Sequence, residues 1–380
     1  MIPASKLPNV GTTIFTVMSK MAADHQAINL SQGYPDFPSD PYLIELVTNA
    51  MRDGLNQYAP MPGLPALREA ISEKTNALYG RYYDPDSEIT VTAGATQALF
   101  TAISAFVYPG DEVILFAPAY DCYLPAVELY GGIGKVVQMT PPAFKPDWDE
   151  VNQLINEKTR MIVINTPHNP TGTTWQDSDM LELQRLAFKN DLIVLSDEVY
   201  EHIIFDNLPH QSASNYDELA MRSLVTASFG KTFHNTGWKL GYCLGPEELM
   251  IEFKKVHQYN VFSVNRPVQE GLAQYLENPK HYLQLGDFYQ QKRDHFLGAI
   301  SSSRFKMVPS SGTYFQLLDY SDITDESDVQ FATRLTKEKG LATIPTSVFN
   351  PSGADYRQLR VCFAKSTDTL DKAAEIINAI

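Results

Sequence analysis

The chain has 380 residues, with 45 acidic against 30 basic side chains and a net charge of −15. Hydrophobic residues make up 44% and charged residues 20%, the balance of a globular protein and not of a disordered one. At roughly 150 residues per domain the length suggests two or three core-forming units, and the acidic surplus argues against nucleic acid as a partner.

Cys122, Cys243 and Cys362 are far apart and form no C-x-x-C. Neither a disulfide framework nor a cysteine zinc site is expected, and a reducing compartment fits. No apolar run approaches the roughly 18 residues that span a bilayer. The opening MIPASKLPNVG lacks a charged stretch followed by an apolar one, and the first arginine is Arg52. The expectation is a cytoplasmic protein without a membrane partner.

The first 45 residues are proline-rich and are expected to wrap across the C-terminal part. Leu64, Leu67, Ile71 and Leu78 then mark one face of a helix, with Pro65 near its start and Gly80 at its end. Residues 88–92 (EITVT) read as a buried strand. Ala98, Leu99, Ala102, Ile103 and Phe106 form the next helical stripe. Strands follow at 112–116 (EVILF) and 161–165 (MIVIN), then a helix carrying Met180, Leu183, Leu186 and Ala187. Residues 192–196 (LIVLS) and 224–226 complete the set of strands. Near-continuous apolar runs point to a sheet covered on both faces. Their alternation with helices points to a mostly parallel α/β arrangement.

The last hundred residues read differently. A polar helical stretch covers 278–301, alternating segments fall at 313–318 and 358–363, and a helix closes the chain from Thr367. The expected division is an N-terminal segment 1–45 packed with a small domain, a large α/β domain 46–277, and a small α+β domain 278–380.

Several familiar motifs are near misses. Gly230, Lys231 and Thr232 resemble the tail of a P-loop, but Val225 stands where its first glycine belongs. Thr226-x-Ser228-x-Gly230 lacks the first glycine of a nucleophile elbow. Gly131, Gly132 and Gly134 are not spaced for a dinucleotide. The eight histidines show no metal-ligand spacing, no metal is expected, and His234 reads as a surface or supporting residue.

Four pieces remain, in order. Asn169, Pro170, Thr171 and Gly172 follow MIVIN. Asp197, Glu198, Val199 and Tyr200 end LIVLS. Ser228, Phe229, Gly230 and Lys231 lead into Gly237, Trp238, Lys239, Leu240 and Gly241. Arg360 sits in LRVCF. Each lies at or just beyond the C-terminal end of an expected parallel strand, where open α/β sheets collect ligands. Taken singly, each is ordinary: a turn, a helix cap, a solvated charge, half of a salt bridge. Taken together and in this order, they are specific.

With these motifs the chain resembles the class I aminotransferases of fold type I, which depend on pyridoxal 5′-phosphate (PLP). The resemblance spans the whole chain. It leans towards the branch of kynurenine and bacterial methionine aminotransferases through residues 28–37 (INLSQGYPDF), 56–71 (NQYAPMPGLPALREAI), 118–125 (PAYDCYLP), 229–242 (FGKTFHNTGWKLGY) and 359–365 (LRVCFAK). It implies that Lys231 holds the cofactor covalently and, once freed, acts as the catalytic base. Asp197 would pair with the pyridine nitrogen, Asn169 and Tyr200 would bond the ring oxygen, and Tyr120 would stack on the ring. Ala95 and Thr96 open a helix whose N–H groups suit the phosphate, joined by Ser228 and Lys239. Lys239 stands where the family often has arginine, which keeps the charge and loses the bidentate fork. Tyr58 would reach the phosphate from a neighbouring subunit, implying a homodimer. Arg360, with Gly33 and Asn169, would grip the substrate α-carboxylate, and Phe15 would face the substrate.

The implied activity moves an amino group from a large apolar or aromatic L-amino acid to a 2-oxo acid by a ping-pong mechanism. Methionine is the first choice of donor, then phenylalanine, tyrosine or kynurenine. An aromatic wall of Phe15, Tyr120 and Phe262 would suit thioethers and rings. Two alternatives share the fold: a β-lyase acting on cysteine S-conjugates, and a catalytically silent regulator.

Overall fold

The structure, a computed structural model, describes residues 4–380. Seven strands form its main sheet: β1 (Ile89–Thr92), β2 (Glu112–Ala117), β3 (Ile133–Gln138), β4 (Thr159–Asn165), β5 (Ile193–Asp197), β6 (Ser223–Ser228) and β7 (Gly241–Leu244). Their order across the sheet is β1-β7-β6-β5-β4-β2-β3. All neighbours run parallel except β7, which is antiparallel to both β1 and β6.

Successive side chains of a strand face opposite ways, and here both faces are dry. Val113 and Leu115 join Met161, Val163 and Leu195 under the Ala95–Phe106 helix, with Leu99 and Ile103. Ile114 and Phe116 join Ile162, Ile164 and Val194 on the other face, with Leu67, Ile71, Met180 and Leu183. This explains why the central strands read as unbroken apolar runs. The edge strand β3 (IGKVVQ) is only partly covered, has no such run, and escapes the sequence reading. So does β7, a four-residue strand.

The helix Pro65–Tyr79 starts on proline and stops at Gly80, whose φ of 70° lies in the left-handed region that glycine tolerates. The Ala95–Phe106 and Asp177–Lys189 helices also lie where the apolar stripes put them.

A second sheet is smaller and antiparallel. Its strands are β8 (Phe315–Asp319), β9 (Ile344–Pro345) and β10 (Gln358–Cys362), in the order β9-β10-β8. The helices Leu285–Ala299 and Thr367–Asn378 pack together beside it. Ile28–Asn29 pairs with Leu341–Ala342, so the N-terminal segment crosses onto this part of the chain. Residue 45, the expected end of that segment, falls inside the helix Pro41–Arg52, which packs on Arg266–Leu276. We propose that the division lies before Pro41, because a helix is a poor place to cut a chain.

A buried ion pair ties the Pro65–Tyr79 helix to the segment after β5. The Lys74 ammonium donates to Glu201 Oε1 at 2.6 Å and to the Tyr242 hydroxyl at 2.7 Å, and the Tyr79 hydroxyl donates to Glu201 Oε2 at 2.6 Å. Burial opposes the charge on Glu201, but Lys74 and His202 outweigh it and hold the carboxyl well below its ordinary range. Lys74→Met would leave that charge buried and uncompensated, with an expected loss of about 3–5 kcal/mol. A lowered urea midpoint, partly restored by adding Glu201→Gln, is the expected measurement. An unchanged midpoint would show that the pair has no such weight.

Candidate active site

The parallel strands deliver their chemistry to one rim of the sheet. Asn165 ends β4 opposite Asp197, and Asp197 ends β5 opposite Thr226 of β6. Ser228 ends β6 and caps the single turn Phe229–Thr232, accepting from the Lys231 amide at 3.4 Å. A cavity opens over these ends. It is lined by Asn169, Asp197, Tyr200 and Lys231, by Tyr120 on one side, and by Ala95, Thr96, Ser228 and Lys239 at one end. The nine residues expected to meet a cofactor from within one chain thus share one cavity.

Asn165 stitches the rim together. Its amide nitrogen donates to the Asp197 carbonyl at 2.8 Å, and its Oδ1 accepts from the Asn169 N–H at 2.8 Å. The Asp197 carboxylate is buried, and accepts from the Tyr123 hydroxyl at 2.6 Å and the Val199 N–H at 3.3 Å. Burial nevertheless pushes its carboxyl up to about 6. Lys231 is perturbed the other way: burial pulls its amine down to about 8. Its Nζ donates to the Gly33 carbonyl at 3.1 Å.

Arg360 lies beside this cavity, 1% exposed, in the middle of β10, which is antiparallel to both neighbours, and not at the end of a parallel strand as expected. Its Nη1 donates to Asn169 Oδ1 at 2.7 Å and its Nη2 to the Ser31 carbonyl at 3.2 Å, while Nε has no protein partner. The guanidinium carbon sits 3.9 Å from the centre of the Phe315 ring, 5.2 Å from Phe349 and 5.3 Å from Phe15. Among the described residues no carboxylate pairs with it. Burial lowers even this guanidinium to about 10. Gly33 is fixed by close approach, since a Cβ there would lie 2.8 Å from Phe315 Cζ. Its carbonyl also accepts from the Tyr314 hydroxyl at 2.7 Å.

Two expected residues are elsewhere. Tyr58 is 78% exposed and packs against Phe262, with ring centroids 5.3 Å apart. Neither lines the cavity of its own chain, so Phe262 is not part of the expected aromatic wall there. His234 lies outside the cavity, against Phe37 and Phe288. Four participants had no role in the sequence reading: Tyr123, Asn165, Tyr314 and Phe315. Tyr123 was within reach, three residues past Tyr120 in a phrase already singled out.

Known proteins resemble this chain over nearly its whole length. The family model for aminotransferase class I and II matches residues 25–377. The chain belongs to the class I and II aminotransferases. It is 52% identical over 376 residues to the methionine aminotransferase of Escherichia coli, covering 99% of this chain and 97% of that one. Human kynurenine–oxoglutarate transaminase 3 is 33% identical, with 99% and 90% covered. A solved E. coli structure described as having a methionine aminotransferase function superposes with a TM-score of 0.98 at 51% identity, covering all of both chains. The fold is that of the fold type I aminotransferases, and the chain is an enzyme of that family.

The depressed amine of Lys231 has a direct readout. Trace acetylation of the cofactor-free protein, followed by peptide mapping, should show Lys231 half-reactive near pH 8 and not near the ordinary 10.5. A half-point near 10.5 would mean that the amine is solvated.

Proposed function

We propose that the cavity holds PLP and that this aminotransferase takes the amino group of a large apolar or aromatic L-amino acid, methionine first, and passes it to a 2-oxo acid. The residues suit that cofactor. One end offers the start of the Ala95–Phe106 helix, the Ser228 hydroxyl and the Lys239 ammonium, a set suited to a phosphate. Gly94, at the turn into this helix, has a φ of 78°, a conformation that glycine adopts and that is strained for other residues. The buried carboxylate of Asp197 suits a protonated ring nitrogen, and the Lys231 amine suits the aldehyde. When bound, PLP supplies an electron sink for the negative charge that develops at the substrate Cα.

The chain's own groups do the rest. Lys231 would hold the cofactor and then, as a free amine, take the proton from Cα. A positioned base of matched pKa contributes roughly 10²–10⁴-fold. Asp197 would hold a proton at the ring nitrogen, and Asn169 and Tyr200 would orient the ring oxygen. Tyr120 would cover one ring face.

The observation that carries the substrate reading is Arg360, a buried cation with a free N–H and no carboxylate partner. A substrate α-carboxylate would supply the missing charge, and hydrogen bonds of that kind contribute about 1.5–3 kcal/mol. Of the three rings around the guanidinium, Phe315 and Phe349 are buried and Phe15 is half-buried, so Phe15 is the one that can meet a thioether or a ring. The name of the E. coli relative places methionine first. Neither elimination from cysteine conjugates nor a silent regulator is favoured by these relatives.

We assign Tyr58, in the family-like stretch 56–71, to the phosphate of a neighbouring subunit in a homodimer. Among the described residues no helix is long and apolar enough to cross a membrane. The reading also places the enzyme in the cytoplasm, where its three free cysteines would stay reduced.

The test is the visible spectrum of the PLP-loaded protein. L-Methionine should bleach the band and a 2-oxo acid should restore it. A band indifferent to methionine but bleached by aspartate would overturn the substrate class. Arg360→Ala should weaken every amino acid donor by about tenfold or more, the loss of one charged hydrogen-bonded contact. A loss confined to one donor would move Arg360 to the side-chain pocket.

A further inference from the structure

Asp197 has one side-chain partner, and it is a tyrosine with no other acceptor. The Tyr123 hydroxyl lies 2.6 Å from Asp197 Oδ2. Both residues are buried, at 4% and 3% exposure. Burial drives the Tyr123 hydroxyl well above its ordinary pKa, so it stays protonated and can only donate to the carboxylate. The same ring meets Tyr120 edge-on, with centroids 5.7 Å apart. Tyr123 follows the turn after β2, so its contact with the end of β5 spans the sheet rim.

We propose that Tyr123 is a positioning residue: its hydroxyl holds the Asp197 carboxylate as the charged partner of a protonated ring nitrogen, and its ring sets the plane of Tyr120. The reasoning is a proton balance. A carboxylate and a pyridine nitrogen share one proton. A hydrogen bond donated to the carboxylate favours its ionised form, leaving the proton on nitrogen. Without that donor the carboxyl becomes more basic in its dry surroundings and the charge-separated pair is weakened. Tyr123 would thus act through Asp197 without touching the substrate. The proposal rests on the reading of the cavity as a PLP site.

The test separates positioning from packing. Tyr123→Phe keeps the ring and removes only the hydroxyl. Cofactor-stripped full-length protein is titrated with PLP, and with a 1-deaza analogue in which carbon replaces the ring nitrogen. Tyr123→Phe should weaken PLP binding by about tenfold, the scale of one charged hydrogen bond, and leave the analogue unchanged. Tyr83→Phe, which loses a buried hydroxyl 3.0 Å from Ser214 and outside the cavity, is the control and should change neither. Equal PLP binding by wild type and Tyr123→Phe would overturn the proposal. So would equal losses for PLP and the analogue, which would mark Tyr123 as packing alone. Failure of the wild type to bind PLP would sink the cofactor reading, and the proposal with it.

Discussion

A guanidinium held out of water without a counter-charge is the constraint around which the rest of the site is arranged. Burying an unpaired cation costs several kcal/mol even after relaxation. Arg360 is therefore supported by weaker means: two oxygens and the faces of three aromatic rings. The closest ring, Phe315, allows no side chain at Gly33. The carbonyl of Gly33 in turn holds the Lys231 amine. One bond of 2.7 Å, from Arg360 to Asn169, joins the small sheet to the rim of the large one. Arg360 and the Lys231 amine are thus connected through Phe315 and Gly33.

Two kinds of buried charge coexist in the fold, and magnitudes tell them apart. In the Lys74–Glu201 pair the partners are 2.6 Å apart and the attraction to Lys74 outweighs burial, so the Glu201 carboxyl is held well below its ordinary range. At Asp197 and Lys231 burial wins, and both groups move towards neutrality. Groups perturbed this way in a cleft are common where chemistry occurs. The paired charges stabilise the frame, and the frustrated ones leave free energy for a ligand to recover.

Much of this was legible in the sequence, for a physical reason. Sheets covered on both faces write themselves as apolar runs, and ligands gather where those runs end. Asn169, Asp197, Tyr200, Ser228 and Lys231 could be placed on that basis once their order was read as a family pattern. Tyr314 and Phe315 could not. Their contacts run between the two sheets, and no periodicity reports a distance through space. Strand β3 was missed because an edge strand needs only partial cover. Tyr58 and Phe262 show the limit from another side, since they pack on each other outside the cavity.

The reversed strand β7 has a consequence for how the chain tolerates change. Gly241 begins β7 in register with Ser228 at the end of β6 and with Thr92 at the end of β1. A Cβ at Gly241 would lie 2.4 Å from the Ala227 carbonyl and 3.1 Å from the Ala95 N–H, so the three backbones are locked in contact. The segment between Ser228 and Gly241 is therefore a staple with both feet in the sheet. It carries Lys231 near one foot and Lys239 near the other. Insertions elsewhere on the rim can be absorbed by loops that swing outward. Within this staple, an added residue would have to be taken up between two fixed ends, close to one lysine or the other.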